Sequence, residues 1–192
     1  MRKASIKRDT LETKIELSIN LDGNKNINID TGIAFFDHML TLFAFHGSLD
    51  LNIQANGDLA VDTHHTMEDV GIALGQAVYQ ALGERLGINR YGFSYVPMDE
   101  ALSRVVIDMS NRPYLAFNAS FKRESIGTMD TENVLEFFKS FVNESRMNLH
   151  IENFYGDNDH HKVESIFKAF GRALKDALRI NGSAITSTKG VL

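Results

Sequence analysis

Residues 64–78, HHTMEDVGIALGQAV, realign on residues 160–174, HHKVESIFKAFGRAL, at an offset of 96 residues, so one half of the chain repeats the other. A repeat of this length restricts the fold strongly, because both copies must follow one supersecondary plan. The flanking segments agree. LNIQANGD at 51–58 and LHIENFYGD at 149–157 both alternate polar and apolar residues and end in Gly-Asp, the pattern of a half-buried strand running into a turn. Further back, Phe35–Phe43 corresponds to Val134–Phe141, each an apolar, helix-like stretch. Thr13–Leu21 and Ser103–Met109 also alternate, and each is expected to open its half as the first strand.

The helices after the two His pairs are strongly patterned. Met67, Val70, Leu74, Ala77, Val78 and Ala81 recur at spacings of three and four before Gly83 and Gly87, and Val163, Ile166, Phe167, Phe170, Leu174 and Leu178 do the same. Each helix therefore buries one face and begins with its histidines. The expected fold class is α+β with an internal duplication. Residues 1–88 and 89–192 form two repeats of one compact unit, each a small, mostly antiparallel sheet with helices on one face.

The chain has 192 residues, 43% of them hydrophobic, enough for a core without covalent staples. It contains no cysteine, which excludes disulfides and thiolate metal sites and leaves His, carboxylate and water as ligands. A net charge of −5 with scattered Lys and Arg argues against nucleic acid as a partner. The charged N-terminal residues lead into no apolar signal region, and no apolar run is long enough to span a bilayer. The expected location is cytoplasmic, with no membrane partner.

His-His-x-x-Glu at a helix start has a definite chemical use. Glu68 lies three residues beyond His65 and four beyond His64, and Glu164 stands in the same relation to His161 and His160. Three ligating side chains thus crowd one helix end. Adjacent helical histidines point about 100° apart, so one ion cannot readily take both together with the glutamate. Two ions dividing each pair solve this. Imidazole and carboxylate donors suit Mn, Fe, Co, Ni or Zn, and a carboxylate-rich six-coordinate site favours Mn2+. Pseudo-symmetry adds His38 and Glu136, which precede the two pairs by 26 and 24 residues. His46, a turn or two beyond His38, is a further candidate, whereas His150 reads as an ordinary surface or core residue. Arg90 and Arg112 sit beside turn formers and could clamp an anion through their planar forks. The C-terminal Thr186-Ser187-Thr188-Lys189 offers hydroxyls and an ammonium to a phosphate.

Taken in order, Glu12-Thr13, Phe36-Asp37-His38-Met39, His64-His65-Thr66-Met67-Glu68-Asp69, Asn111-Arg112-Pro113-Tyr114, His160-His161-Lys162-Val163-Glu164 and the Ser-Thr-Lys-Gly-Val-Leu end resemble the imidazoleglycerol-phosphate dehydratase family of histidine biosynthesis, over essentially the whole chain. The resemblance implies a duplicated fold like ribosomal S5 domain 2 and a homo-oligomer of 24 subunits with two-manganese sites at subunit interfaces. It implies one Mn2+ on His38, His65, Glu68 and His160, and the other on His64, His161, Glu164 and residue 136. Many members of the family carry a histidine where this chain has Glu136. The implied reaction is dehydration of imidazoleglycerol phosphate to imidazole acetol phosphate by way of a metal-stabilised imidazolate and a diazafulvene-like intermediate. Glu164 would be the base at the ring carbon, and Glu12 would handle the side-chain hydroxyl and proton transfers. Arg90, Arg112, Lys168, Ser187, Thr188 and Lys189, with His46, would contact substrate and phosphate. Two other readings fit the donor set: a dinuclear hydrolase of phosphate esters or amides, and a metal-storage or structural shell protein.

Overall fold

Strand pairing carries the duplication further than the motif does. The computed structural model describes residues 2–192. In the first half β1 (Lys3–Asp9), β2 (Thr13–Asn20), β3 (Ile27–Asp30) and β4 (Asp50–Gly57) form a sheet ordered β1-β2-β4-β3. In the second, β5 (Tyr91–Met98), β6 (Ala101–Asp108), β7 (Tyr114–Asn118) and β10 (Asn148–Tyr155) are ordered β5-β6-β10-β7. Both sheets have two antiparallel ladders and one parallel one, the latter between β3 and β4 and between β7 and β10. A two-residue pairing of β8 (Ser125–Ile126) with β9 (Met129–Asp130) is an insertion present only in the second half. Thr13–Asn20 and Ala101–Asp108 are the second strands of their halves, not the first. The opening strands are β1 and β5, whose charged or aromatic exposed faces obscure the alternation: β1 is an edge strand of Lys, Ser, Arg and Asp with only Ala4, Ile6 and Arg8 half-buried on the inner side.

The four helices, α1 (Ala34–Gly47), α2 (His64–Leu82), α3 (Asn133–Ser145) and α4 (Asp159–Leu178), lie between the sheets. Helix α2 covers the first sheet and α4 the second, as the repeat requires, but the shorter helices change sides: α1 packs on α4 and α3 on α2. Glycine makes both crossings possible. A Cβ at Gly75 would collide with the Phe141 carbonyl of α3, and one at the equivalent Gly171 with the Phe43 carbonyl of α1. Helix–helix contact this close needs a residue without a side chain, which is why each helix keeps a glycine otherwise unfavourable in its interior. The core is continuous across the halves. Phe36 meets Phe137 edge to face at 5.2 Å and Phe43 stacks on Phe170 at 4.7 Å, while Phe137, Phe138, Phe141, Phe167 and Phe170 form one buried aromatic cluster. The exchange of helices carries His38, from the first half, to the start of α4, from the second.

The outer faces of the two sheets differ. That of the first presents Lys3, Lys7, Lys14, Glu16, Asn52 and Gln54 to solvent. That of the second presents Tyr91, Phe93 and Tyr95, which are 52%, 66% and 51% exposed. Among the described residues no helix is long and apolar enough to cross a membrane.

Candidate metal centre

Each His-His-x-x-Glu motif occupies the first turn or so of its helix, and local hydrogen bonds account for the start. Asp62 Oδ1 accepts from the His64 backbone N–H at 2.7 Å, and Asn158 Oδ1 caps α4 by accepting from the His160 N–H at 2.9 Å. These acceptors satisfy donors that a helix start leaves free. Within each pair the rings stand nearly perpendicular, at 87° for His64 and His65 and 81° for His160 and His161, with centroids 6.1 and 6.0 Å apart. One ion cannot be shared by rings splayed in this way. In both helices the glutamate sides with the first histidine: Glu68 Oε2 is 3.7 Å from His64 Nε2, and Glu164 Oε2 is 3.1 Å from His160 Nε2.

The α4 end is a ready ligand cluster. Ligand atoms of His38, His160 and Glu164 lie within 4.8 Å of one another, the sole such group of three among the described residues. His38 Nε2 approaches Glu164 Oε2 to 3.7 Å, and Phe35 packs its ring edge against His160 at 4.8 Å. Glu164 is only 8% exposed, and its other oxygen meets Lys168 Nζ at 2.5 Å. Burial alone would raise its pKa, but the Lys168 ammonium and the His160 imidazole outweigh it and hold the carboxyl below its ordinary range. The donors are two imidazoles and an ionised carboxylate on a half-buried ledge, a set that fits a divalent ion such as Mn2+.

The α2 end is more open. Glu68 is 40% exposed, and Glu136, the expected counterpart of His38, is turned to Lys139 at 3.3 Å one helical turn away. Here the second coordination partners are the developed feature. His64 Nδ1 lies 3.1 Å from Asn133 Oδ1; Asn133 Nδ2 donates to Thr63 Oγ1, and Thr63 Oγ1 donates to Asp130 Oδ2. That sequence of donors makes Asn133 Oδ1 the acceptor, so His64 carries its proton on Nδ1 and turns Nε2 toward Glu68. His65 Nδ1 sits 3.0 Å from Asp58, and Glu12 faces its Nε2 at 3.8 Å. The Asp58 hydrogen bond raises the His65 pKa above its ordinary value, and Glu100, 2.7 Å from His161 Nδ1, does the same for His161. Glu100 itself is held at about 2 by the Asn158 backbone N–H and by His161. None of Asp58, Glu100 or Asn133 stands out from sequence periodicity; the one visible signal was the repeated Gly-Asp ahead of each His pair.

Within one chain the expected ligand sets are not assembled. His38 and His160 gather with Glu164 rather than with His65 and Glu68, which lie outside that group. The expected phosphate contacts are more widely dispersed. Lys168 pairs with Glu164, and His46, near the end of α1, lines a cavity of about 720 Å³ with Arg172 and Lys175. Arg90 is fully engaged, bidentate to Asp108 at 2.7 and 3.1 Å and donating to the Thr186 carbonyl at 2.9 Å. It therefore pins the C-terminal segment in this chain rather than presenting a free fork. Arg112 is exposed, and Ser187, Thr188 and Lys189 lie on the segment Arg90 holds. The Arg90 N–H bonds to the Ala177 carbonyl near the far end of α4, about 25 Å from His160 at 1.5 Å per residue.

A family model described as imidazoleglycerol-phosphate dehydratase matches residues 31–174. Curated relatives include the imidazoleglycerol-phosphate dehydratase of Clostridioides difficile, 57% identical, and that of Streptococcus mutans, 56% identical, each matched over the full length of both chains. The crystal structure of the enzyme from Staphylococcus aureus aligns with a TM-score of 0.85 and 46% identity, over 93% of this chain and 99% of that one. The Pyrococcus furiosus structure, in complex with (S)-C348, aligns at 0.83 with 37% identity, over 97% and 100%. Fold, site motif and full-length similarity agree, and the chain belongs to the imidazoleglycerol-phosphate dehydratase family.

Proposed function

We propose that this chain dehydrates imidazoleglycerol phosphate to imidazole acetol phosphate with two Mn2+ ions, in sites completed between copies of the chain. The observation that carries the reading is the pair of His-His-x-x-Glu helix ends, where five of the eight expected ligands already gather, His38, His160 and Glu164 at one end and His64 and Glu68 at the other, in a member of a dehydratase family. Held by His38, His160 and Glu164 at one end and by His64 and Glu68 at the other, Mn2+ would supply positive charge able to stabilise an anionic imidazole ring.

Glu12 is the residue to move side-chain protons. It stands on the β1–β2 turn, 55% exposed, 3.8 Å from His65 Nε2 and not locked into a short ion pair. Dehydration needs a proton delivered to the leaving hydroxyl and another taken from carbon, and a free carboxylate can do each in turn. Glu164 has one oxygen on Lys168 and the other on His160. A carboxylate stabilised to that degree stays ionised but is a weak base, so the geometry favours a holding part for Glu164 over the ring-carbon proton transfer expected of it.

Two observations support assembly between copies. The metal ledge and the anion-binding candidates Arg90, Arg112, Ser187, Thr188 and Lys189 are separated by most of α4, far more than a three-carbon phosphate on an imidazole can bridge. A second chain that brings its own far end to this ledge closes the gap. The exposed tyrosines and phenylalanine on the second sheet give such association an apolar surface. This agrees with the 24-subunit shell that the family resemblance implies. A cytoplasmic setting follows from the same reading.

The test is turnover of imidazoleglycerol phosphate by chelator-treated protein with and without added Mn2+. Activity restored by Mn2+ is the expected result; inactivity at full metal loading overturns the proposal and promotes the hydrolase. Glu12→Gln should abolish turnover while the protein retains its Mn2+, which a storage or shell protein would not show.

A further inference from the structure

The two turns that open the second strands carry equivalent glutamates with different surroundings. Glu12 immediately precedes β2 and Glu100 immediately precedes β6. Glu100 is occupied by three donors. Its Oε1 accepts from the backbone N–H groups of Asp157 at 3.1 Å and Asn158 at 2.8 Å, and its Oε2 lies 2.7 Å from His161 Nδ1. In the first half that orienting contact comes instead from Asp58, 3.0 Å from His65 Nδ1, and the Asp58 N–H bonds to the Glu12 backbone carbonyl at 3.1 Å. Glu12's side chain is left on the Nε2 side of His65. Asp157, the residue matching Asp58, is turned outward, 93% exposed, beside Lys122. Glu100 thus takes the Nδ1 side of His161 that Asp58 takes for His65, while Asp99 rather than Asp157 faces Nε2, at 3.8 Å.

We propose that Glu100 is a positioning residue that fixes His161 as its Nδ1–H tautomer, so that Nε2 faces the metal site, the part that Asp58 plays for His65. An ionised carboxylate only accepts hydrogen bonds, so the nitrogen against it must carry the proton and the other nitrogen presents its lone pair. The two backbone bonds hold Glu100 against the loop that leads into α4, so ring orientation and helix start are set together. Partners of this kind orient ligating histidines and raise their basicity, and their loss weakens metal binding about 10–100-fold. The inference rests on the metal-site reading above, but not on the substrate.

Glu100→Gln is the discriminating variant. The amide can keep its oxygen on the two backbone N–H groups, but its NH2 then faces His161 Nδ1 as a donor, which selects the Nε2–H tautomer and removes the ligand lone pair. The expected result is a folded protein whose Mn2+ affinity, followed by electron paramagnetic resonance titration, falls about 10–100-fold. In metal-free protein labelled with 15N-histidine, the His161 signals should switch from the Nδ1–H to the Nε2–H pattern. Glu100→Asp keeps an acceptor at shorter reach and should retain the Nδ1–H pattern with a smaller loss of affinity. Asp157→Asn, which touches neither histidine, should bind Mn2+ as wild type does. Wild-type affinity and an unchanged tautomer in Glu100→Gln would overturn the proposal, and so would equal losses in Glu100→Gln and Glu100→Asp with the tautomer intact in both. Because neither readout involves substrate, an inactive wild-type protein would count against the dehydratase reading alone.

Discussion

The starts of α2 and α4 have one motif and two environments. At α4, Glu164 is buried, paired with Lys168 and joined by His38 from the other half of the chain. At α2, Glu68 is exposed, and Glu136, where His38 would be matched, turns to Lys139 instead. The difference comes from what the exchanged helices deliver: α1 brings an imidazole to α4, and α3 brings a carboxylate to α2 with a lysine one turn beyond it. A duplicated His-His-x-x-Glu motif therefore occupies two unequal environments in an isolated chain. Both ends have hydrogen bonds behind a histidine, from Asp58 and Asn133 at α2 and from Glu100 at α4, but only the α4 end adds buried ion pairing within the cluster itself.

Removing the glutamates should expose this contrast most strongly. Glu164→Ala leaves the Lys168 ammonium without its partner in a largely buried site and should lower the stability of the metal-free protein by up to about 3 kcal/mol. Glu68→Ala should change it by no more than about 0.5 kcal/mol. Urea unfolding measures both, and equal losses would break the comparison. Gly171→Ala and Gly75→Ala should each cost about 1–3 kcal/mol, since both force a helix pair apart. Only Gly171→Ala displaces the helix that carries His38, so only it should also weaken Mn2+ binding.

If both ends bind Mn2+ as proposed, protons should compete with it at each. His65 and His161 have pKa values raised above the free imidazole value, so they keep their protons to higher pH. Metal needs the neutral ring. Mn2+ affinity should consequently fall as pH drops through a midpoint above about 6.5, and a midpoint below that value would contradict the hydrogen bonds to Asp58 and Glu100. The smallest effect is expected of Glu136→Ala on the metal-free protein, where loss of the Lys139 pair costs about 0.2–0.5 kcal/mol. If Glu136 ligates in the assembly, the same variant will bind Mn2+ more weakly while its unfolding curve barely moves.

Much of this was legible in sequence because duplication prints the same signal twice. The repeat at 64–78 and 160–174 located both long helices and their ligand ends, and it included Gly75 and Gly171, whose role becomes clear only when the crossings are seen. The exchange of α1 and α3 was not legible, since an apolar helix face shows that a helix packs but not against what. β1 and β5 carry a weak alternation signal, because Arg8 stands on the inner face of β1 and because β5 turns its aromatic residues outward and Gly92 and Ser94 inward. Glu100 and Asn133 reach their histidines from 61 and 69 residues away, and a contact at that separation has no periodicity to betray it. The expected grouping of ligands, drawn from the resemblance, and the single-chain grouping differ in a way that a second chain can reconcile.

The most direct test of that account is complementation between two inactive variants. His64→Ala/His65→Ala removes the α2 end and His160→Ala/His161→Ala the α4 end, and each should abolish dehydration of imidazoleglycerol phosphate in the presence of Mn2+. Mixed by unfolding and refolding together, with mixed assemblies verified by native mass spectrometry, they should regain activity, because an intact α2 end of one chain then meets an intact α4 end of another. Mixed assemblies that remain as inactive as their parents would contradict a site shared between chains.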